Sequence, residues 1–390
     1  MQGCPGICSR GKTMDHPIPP PFPLFEISGR AEARGLSYGR QAAARVHRSI
    51  GHYHAQLSAG GMDAARIHRL AHAFVPRVEN FDGDYVAEMR GIARGADVAF
   101  EDVMLLNCRT EILQLAKRGL LPEADPDGCT GAILLPEATA DGTLLHGQNW
   151  DWKSECAETG VVLRIRREDG PDILTFVEAG GLSRAGLNAA GIAITANYLE
   201  SDRDYQTQGI PLSLLRRKVL EQSHVALAVR TIYATPKSAS NNVMLSHGSG
   251  WALDIESAPE ESFLLDPEDG LLVHANNWRS PIALSKLRDT GIATTPDSVY
   301  RDRRVRAALA AKRGTLTMDD LRAALFDDWQ TPWSVCRPPR MNLGGNLSAT
   351  VAMILMRPAE GHMEIAPLPA LNRQFTSYSL DPARVAQAAE

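Results

Sequence analysis

The sequence predicts an α+β fold in which helices are layered on antiparallel sheets. Three observations lead there. Apolar residues recur at helical spacing through the first third of the chain. At Cys129 the spacing switches to that of strands. From there to about residue 366, many short strand-like runs are interrupted by a few helical ones.

Residues 1–23 carry Pro17, Pro19, Pro20, Pro21 and Pro23 with little periodicity, so an extended, disordered lead-in is expected, with Met14 as an alternative start. From about 31 to 116 the period is helical. Val46, Ile50, Tyr53 and Leu57 lie four, three and four apart, and Ile67, Leu70 and Phe74 continue that spacing, as do Leu105, Cys108 and Ile112. Three or four packed helices are expected there. Cys108 falls on an apolar face and reads as a core thiol. Residues 117–127 form a polar, proline-containing loop.

At Cys129 the grammar changes. Ile133-Leu134-Leu135, the turn pair Asp141-Gly142 and Leu144-Leu145 read as strand, turn and strand. Val161, Leu163 and Ile165 alternate with Arg164 and Arg166, as in a strand with one buried face. Further strands are expected at 173–177, 191–196, 243–247, 251–256, 262–265, 271–275, 349–357 and 361–366. Helices are expected at 212–233, 297–312 and 318–327. There is no internal repeat, and 24–390 reads as one fold.

Composition narrows the function. The 390 residues are 44% hydrophobic and 22% charged, an ordinary globular mixture. A net charge of −5 provides no field for nucleic acid or an anionic membrane. No apolar run approaches the roughly 18 residues of a membrane-spanning helix, and no apolar stretch near the start resembles a secretory signal. Six cysteines are too sparse for a disulfide scaffold, so a reducing, cytoplasmic setting is expected.

The informative segment is Asp127-Gly128-Cys129-Thr130, followed by Gly147-Gln148-Asn149-Trp150-Asp151. If the Gly128-Cys129 bond breaks, Cys129 becomes an N-terminus that carries a thiol nucleophile and an α-amine on one residue. Such amines titrate at about 7.7–8.0, well placed for proton transfer at neutral pH. Gly128 suits a strained scissile position because it lacks a Cβ.

Together these motifs resemble the acyl-coenzyme A:6-aminopenicillanic acid acyltransferase family, self-cleaving N-terminal-nucleophile (Ntn) hydrolases with a cysteine nucleophile. The resemblance continues through 187–193 to Asn197, and recurs at His274-Ala275-Asn276-Asn277 and Ser348-Ala349-Thr350. In the first third, 91–96 and 107–111 resemble the family's pre-cleavage helices. The resemblance spans roughly 25–367. It implies a four-layer αββα sandwich of two stacked antiparallel sheets flanked by helices. It also implies cleavage into a helical fragment, 24–128 behind the lead-in, and a catalytic fragment, 129–390; the two are expected to stay together because the helices of the first bury their apolar faces on the second. Cys129 would be the nucleophile, Asp151 the carboxylate that tunes its amine, Asn276 the oxyanion asparagine, and Asn197 an asparagine matched in bile-salt and penicillin V hydrolases. The implied substrate is a small N-acyl compound, with acyl-coenzyme A as a candidate acyl donor, and the mechanism needs no cofactor or metal. Two departures stand out. Asn346-Leu347 replaces the Ser-Arg of penicillin-forming members, which removes a cation expected near the site. Gln148 replaces an arginine of the bile-salt hydrolases. Neither a penicillin nor a bile-salt substrate is therefore expected.

Competing readings remain. A papain-like Cys-His hydrolase would use His247 or His274 as base and need no cleavage. An inactive Ntn-like scaffold would bind a ligand without processing. His68 and His72 have metal-compatible helical spacing, but they lie beside the Ile67/Leu70/Phe74 stripe rather than in a cluster with carboxylates. They read as solvated or partly buried, as do His52 and His54. Arg301, Arg303, Arg304 and Arg306 read as a charged helix face rather than a phosphate site. Asn346-Leu347-Ser348 is a glycosylation sequon that is discounted here, because no secretion signal accompanies it.

Overall fold

The computed structural model describes residues 19–120, 128–342 and 346–381, the side chains of 117–120 apart. Most of the expected lead-in and most of the polar loop before the candidate cleavage position lie outside the described residues.

A strand, β1 (Leu24–Ser28), precedes six helices: α1 (Ala31–Ala59), α2 (Ala64–His72), α3 (Val75–Phe81), α4 (Gly83–Ala96), α5 (Phe100–Asn107) and α6 (Arg109–Leu120). Periodicity alone foresaw fewer helices, because local caps divide the stretch. Asp63 accepts from Arg66 N to start α2, Asp82 accepts from Asp84 N to start α4, and Asp97 at φ 55° ends α4. The strands β2 (Gly128–Leu134), β3 (Leu145–Lys153), β4 (Gly160–Arg166), β5 (Ile173–Glu178), β6 (Ala185–Asn188) and β7 (Ile192–Tyr198) follow. The expected helix at 212–233 is two helices, α7 (Leu212–Leu220) and α8 (Val225–Ala234), because His224 Nδ1 caps Ala226 N. Strands β8 (Asn241–His247), β9 (Trp251–Ser257), β10 (Ser262–Leu265) and β11 (Leu271–His274) come next, then helices α9 (Pro281–Leu284), α10 (Ser298–Ala310) and α11 (Met318–Leu325). β12 (Arg340–Met341), β13 (Leu347–Arg357), β14 (His362–Pro367) and β15 (Thr376–Ser379) complete the described chain.

Two sheets form. One runs β1-β4-β5-β6-β7-β8-β9-β10, the other β11-β2-β3-β13-β14-β15 with β12 beside β13. All pairings are antiparallel except β1 with β4. Side chains alternate across each strand, so both sheets bury two faces. Val161, Leu163, Ile192, Ile194, Val243 and Leu245 pack outward against α1, α4, α5 and α7. Trp150, Val162, Leu174, Phe176, Val351 and Ile354 fill the space between the sheets. Ala132, Leu145, Met353 and Leu355 pack outward against Val305 and Leu309 of α10 and Leu321 and Leu325 of α11. The result is the expected four-layer αββα sandwich.

Three details differ from the sequence reading. β4 has no solvent face: Arg164 is buried, donates Nε to Ser379 O at 2.8 Å and pairs with Glu26 at 2.9 Å. A strand the sequence reading lacked, β1, precedes the expected helical stretch; it is too short after its prolines to show periodicity. The lead-in, expected to run to residue 23, is already packed at Phe22, which is buried against Phe176 with ring centroids 4.9 Å apart.

Helices α1 and α4 meet through glycines. A Cβ on Gly35 or Gly39 would sit 2.0 or 2.3 Å from backbone oxygens of α4, and one on Gly91 or Gly95 would sit 2.2 or 2.4 Å from those of α1. The 91–96 motif therefore serves close helix packing, which requires the absence of side chains on both partners.

Candidate active site

β2 and β3 pair in a register that sets Gly128 opposite Asp151 and Cys129 opposite Trp150. Alternation then divides the groups. Cys129 and Trp150 point between the sheets, whereas Gly128, Thr130, Asn149 and Asp151 point toward α10, α11 and the chain at 335–337. Cys129 is fully buried.

Three residues hold Cys129 at three different atoms. Its backbone N donates to Asn276 Oδ1 at 2.7 Å. Its carbonyl accepts from Arg301 Nη1 at 2.6 Å. Its Sγ accepts from Arg184 Nη2 at 3.5 Å, and that guanidinium lies 4.1 Å over the Trp150 ring. The Asn276 amide orientation follows from its neighbours. Oδ1 faces two donors, Cys129 N and Arg301 Nη2 (2.8 Å), while Nδ2 donates to Tyr198 O at 2.8 Å. Asn276 thus faces the Cys129 nitrogen as an acceptor, a geometry different from the donor role expected of an oxyanion asparagine.

Asp151 is held from two sides. Thr350 Oγ1 donates to its Oδ1 at 2.6 Å, and Arg337 Nε lies 3.3 Å from its Oδ2. Thr350 belongs to the Ser348-Ala349-Thr350 motif and bonds the backbone of Arg337 in both directions. Arg337 also pairs with Asp297, which accepts from Arg301 Nε at 2.8 Å. A chain of alternating charge therefore runs Asp151–Arg337–Asp297–Arg301 and ends on the Cys129 carbonyl. Burial works against charge on Asp297, but Arg337 and Arg301 outweigh it and hold its pKa below the ordinary carboxylate value.

Asn197 stands one step back. Its Nδ2 donates to His274 O at 3.1 Å, and its Oδ1 accepts from Gln148 Nε2 at 2.8 Å. Those bonds brace the backbone leading from β11 to Asn276. None of these bonds reaches Cys129, and Gln148 points to the opposite sheet, donating also to Ala196 O at 2.9 Å.

The histidines of the papain-like reading are engaged elsewhere. His274 is buried, with Nδ1 2.8 Å from Ala275 O and Nε2 2.8 Å from Glu256 Oε1. Burial opposes its charge, but Asp254 and Glu256 prevail and raise it to about 9. Facing a carbonyl and a carboxylate, the ring donates from both nitrogens and has no lone pair for a thiol. His247 bonds Ser249 and Ala190 O.

Sequence reasoning missed three arginines. Arg301 was grouped with its neighbours as one charged face, but it is fully buried, while Arg304 pairs with Asp327 at 2.5 Å and Arg306 with Glu268 at 3.5 Å. The Asp297–Arg301 spacing of four was the available signal. Arg184 and Arg337 carried no signal, because they arrive from distant parts of the chain. With them the site holds the cations whose loss Leu347 had suggested; Leu347 itself is largely exposed.

A sequence model of the acyl-coenzyme A:6-aminopenicillanic acid acyl-transferase family matches residues 138–367, more than half of the chain. The chain belongs to this family. The match takes in Asp151, Asn197, Asn276 and Thr350, and begins beyond Cys129. The chain is 29% identical over 258 residues to the 40 kDa form of the acyl-coenzyme A:6-aminopenicillanic-acid acyltransferase of Emericella nidulans, covering 65% of this chain and 67% of that one. It is 30% identical over 152 residues to an uncharacterized protein of Archaeoglobus fulgidus, covering 35% of this chain and 26% of that one. Among solved structures, a variant of conjugated bile acid hydrolase from Clostridium perfringens is similar at 16% identity and a TM-score of 0.45, covering 65% of this chain and 92% of that one. Penicillin V acylase from Agrobacterium tumefaciens is similar at 15% identity and a TM-score of 0.41, covering 65% and 89%.

Proposed function

We propose that this member of the acyltransferase family is a self-processing N-terminal cysteine enzyme that hydrolyses or transfers the acyl group of small N-acyl compounds. The convergence of Asn276, Arg301 and Arg184 on the nitrogen, carbonyl and sulfur of Cys129 is the observation that carries this reading.

In the first step the Cys129 thiol attacks the Gly128 carbonyl carbon. The C–N bond breaks, the Cys129 nitrogen takes the proton and leaves as an amine, and Gly128 is held as a thioester. Water then cleaves the thioester to release a Gly128 carboxylate and restore the thiol. Asn276 Oδ1 already faces the leaving nitrogen, and Asp151 lies across the strand pair from Gly128, so a developing ammonium meets an acceptor and a nearby carboxylate. Arg184 favours the thiolate over the thiol. In the processed enzyme the same thiol attacks the substrate carbonyl and the amine shuttles the proton. Water or an acceptor amine resolves the acyl-enzyme. We assign Asn276 to the Cys129 nitrogen through Oδ1 and, once Nδ2 leaves Tyr198 O, to the oxyanion through Nδ2, and Asn197 to bracing Asn276. Acyl-coenzyme A remains a candidate acyl donor.

Fragments 1–128 and 129–390 would remain together. Glu88 pairs with Arg217 across the cut at 3.1 Å, Glu178 pairs with Arg109 at 2.7 Å, and Asn107 exchanges bonds with Gly180 O and Leu182 N. The test is intact mass under denaturing conditions for wild type and Cys129→Ala. Two wild-type masses matching 1–128 and 129–390, with an uncut variant, are expected. A single uncut mass for both would remove the processing mechanism and favour a binding scaffold.

A further inference from the structure

Away from the candidate active site, three helices of the N-terminal segment bring two imidazoles and a carboxylate to one point. His54 lies near the end of α1, His68 in α2 and Asp102 in the first turn of α5. His54 Nε2 is 2.6 Å and His68 Nε2 is 2.8 Å from the same oxygen, Asp102 Oδ1. The rings are 5.8 Å apart and nearly perpendicular at 85°, so their edges converge instead of stacking. All three ligand atoms fall within 4.8 Å of one another. The side chains are 24%, 34% and 14% exposed, open enough for an ion to enter and sheltered enough to hold it.

We infer that His54, His68 and Asp102 form a binding site for a divalent first-row transition-metal ion. Ligands at about 2.0–2.2 Å on one face of an octahedral ion lie roughly 2.8–3.1 Å apart. The two His–Asp separations need to open by only a few tenths of an ångström, and the two Nε2 atoms, within 4.8 Å of each other, settle at the same spacing around the ion. A tetrahedral ion would need about 3.3 Å, a larger shift of the His–Asp contacts. Two imidazoles and one carboxylate suit ions such as Co²⁺, Ni²⁺ or Zn²⁺ and disfavour Ca²⁺ and Mg²⁺, which prefer all-oxygen shells. Water would fill the remaining positions. On binding, each Nε2 gives up its hydrogen, to its own Nδ1 or to solvent, so affinity falls as pH falls.

The helical spacing of His68 and His72 suggested a different pair, and the expected absence of nearby carboxylates does not hold. His72 faces Glu101 at 3.1 Å, one turn along α2, while His68 bonds Asp102 on α5 and meets the ring of His54 on α1. The ion would pin α2, a nine-residue helix that buries only Ile67 and Ala71 of its own residues, to α1 and α5.

The test uses untagged full-length protein, stripped with chelator and titrated with Ni²⁺ and Zn²⁺ by calorimetry. His68→Gln and His54→Gln/His68→Gln are titrated in parallel. Wild type should bind one ion more per chain than the double variant. Its melting temperature should rise on adding the ion, and that rise should vanish in both variants. X-ray absorption of bound Ni²⁺ should show nitrogen and oxygen neighbours. Equal stoichiometry and affinity in wild type and the folded single variant would overturn the inference. So would a sulfur-ligated ion, or no saturable binding at all.

Discussion

Gly128→Ala should slow self-cleavage through crowding rather than loss of a reacting group. The added Cβ would lie 2.6 Å from Arg337 Nη1 and 2.8 Å from Asp151 Oδ2, where ordinary contact begins at 3.4 Å. Arg337 must therefore retreat by about 0.8 Å and Asp151 by about 0.6 Å. Neither can swing aside freely. Arg337 is tied to Asp297 and Asp151 to Thr350, and all four are buried. The shift propagates through Arg301 to the Cys129 carbonyl, beside the bond that breaks. A misplacement of about 1 Å at a reacting centre costs about a hundredfold in rate, so cleavage ten to a hundred times slower than wild type, to order of magnitude, is expected. Time-resolved intact mass during cell-free synthesis gives both rates, and circular dichroism verifies the fold. Cleavage of Gly128→Ala at the wild-type rate, with Cys129→Ala uncut, would refute the argument that the charge chain positions the scissile bond.

Three further outcomes follow from the geometry. Arg184→Met removes the cation 3.5 Å from Cys129 Sγ and should slow self-cleavage at neutral pH by about tenfold, with its pH profile displaced upward; an unchanged profile would remove Arg184 from the thiol's chemistry. His274, raised from 6.5 to about 9, stabilises the fold fully below its ordinary pKa, and that contribution is lost as pH rises through about 9. The stability gap between wild type and His274→Gln in urea melts should therefore close by on the order of 3 kcal/mol between pH 6.5 and 9, a difference from which the opposing contribution of buried Lys237, lowered to about 8 in both proteins, cancels; a gap constant over that window would contradict the assignment. Glu88→Gln leaves Arg34 and Arg217 buried without their shared carboxylate, so a loss of about 3–5 kcal/mol in urea unfolding is expected, and an unchanged midpoint would show the pair is dispensable.

Much of the fold was legible because it rests on periodicity. β8, β9, β10, β11, β13 and β14 follow runs of apolar residues that any strand with a buried face must carry. What periodicity could not see was short or two-sided. β1 and β15 span five and four residues, and β4 buries Arg164 because a carbonyl and Glu26 happen to meet it there. Within the site, Gly128, Cys129 and Asp151 were readable because one strand pair places them together and local order fixes its register. Asn276 was found by motif, but its orientation depends on Arg301 and Tyr198.

The sequence by itself thus determined the layers of this protein and the cysteine they surround, because hydrophobic pattern and turn chemistry act between near neighbours. Only the tertiary structure decided which charges face that cysteine. Arg184, Arg301 and Arg337 lie 55, 172 and roughly 200 residues along the chain from it. Buried charge survives only where folding delivers a partner, and no local pattern records a partner that distant.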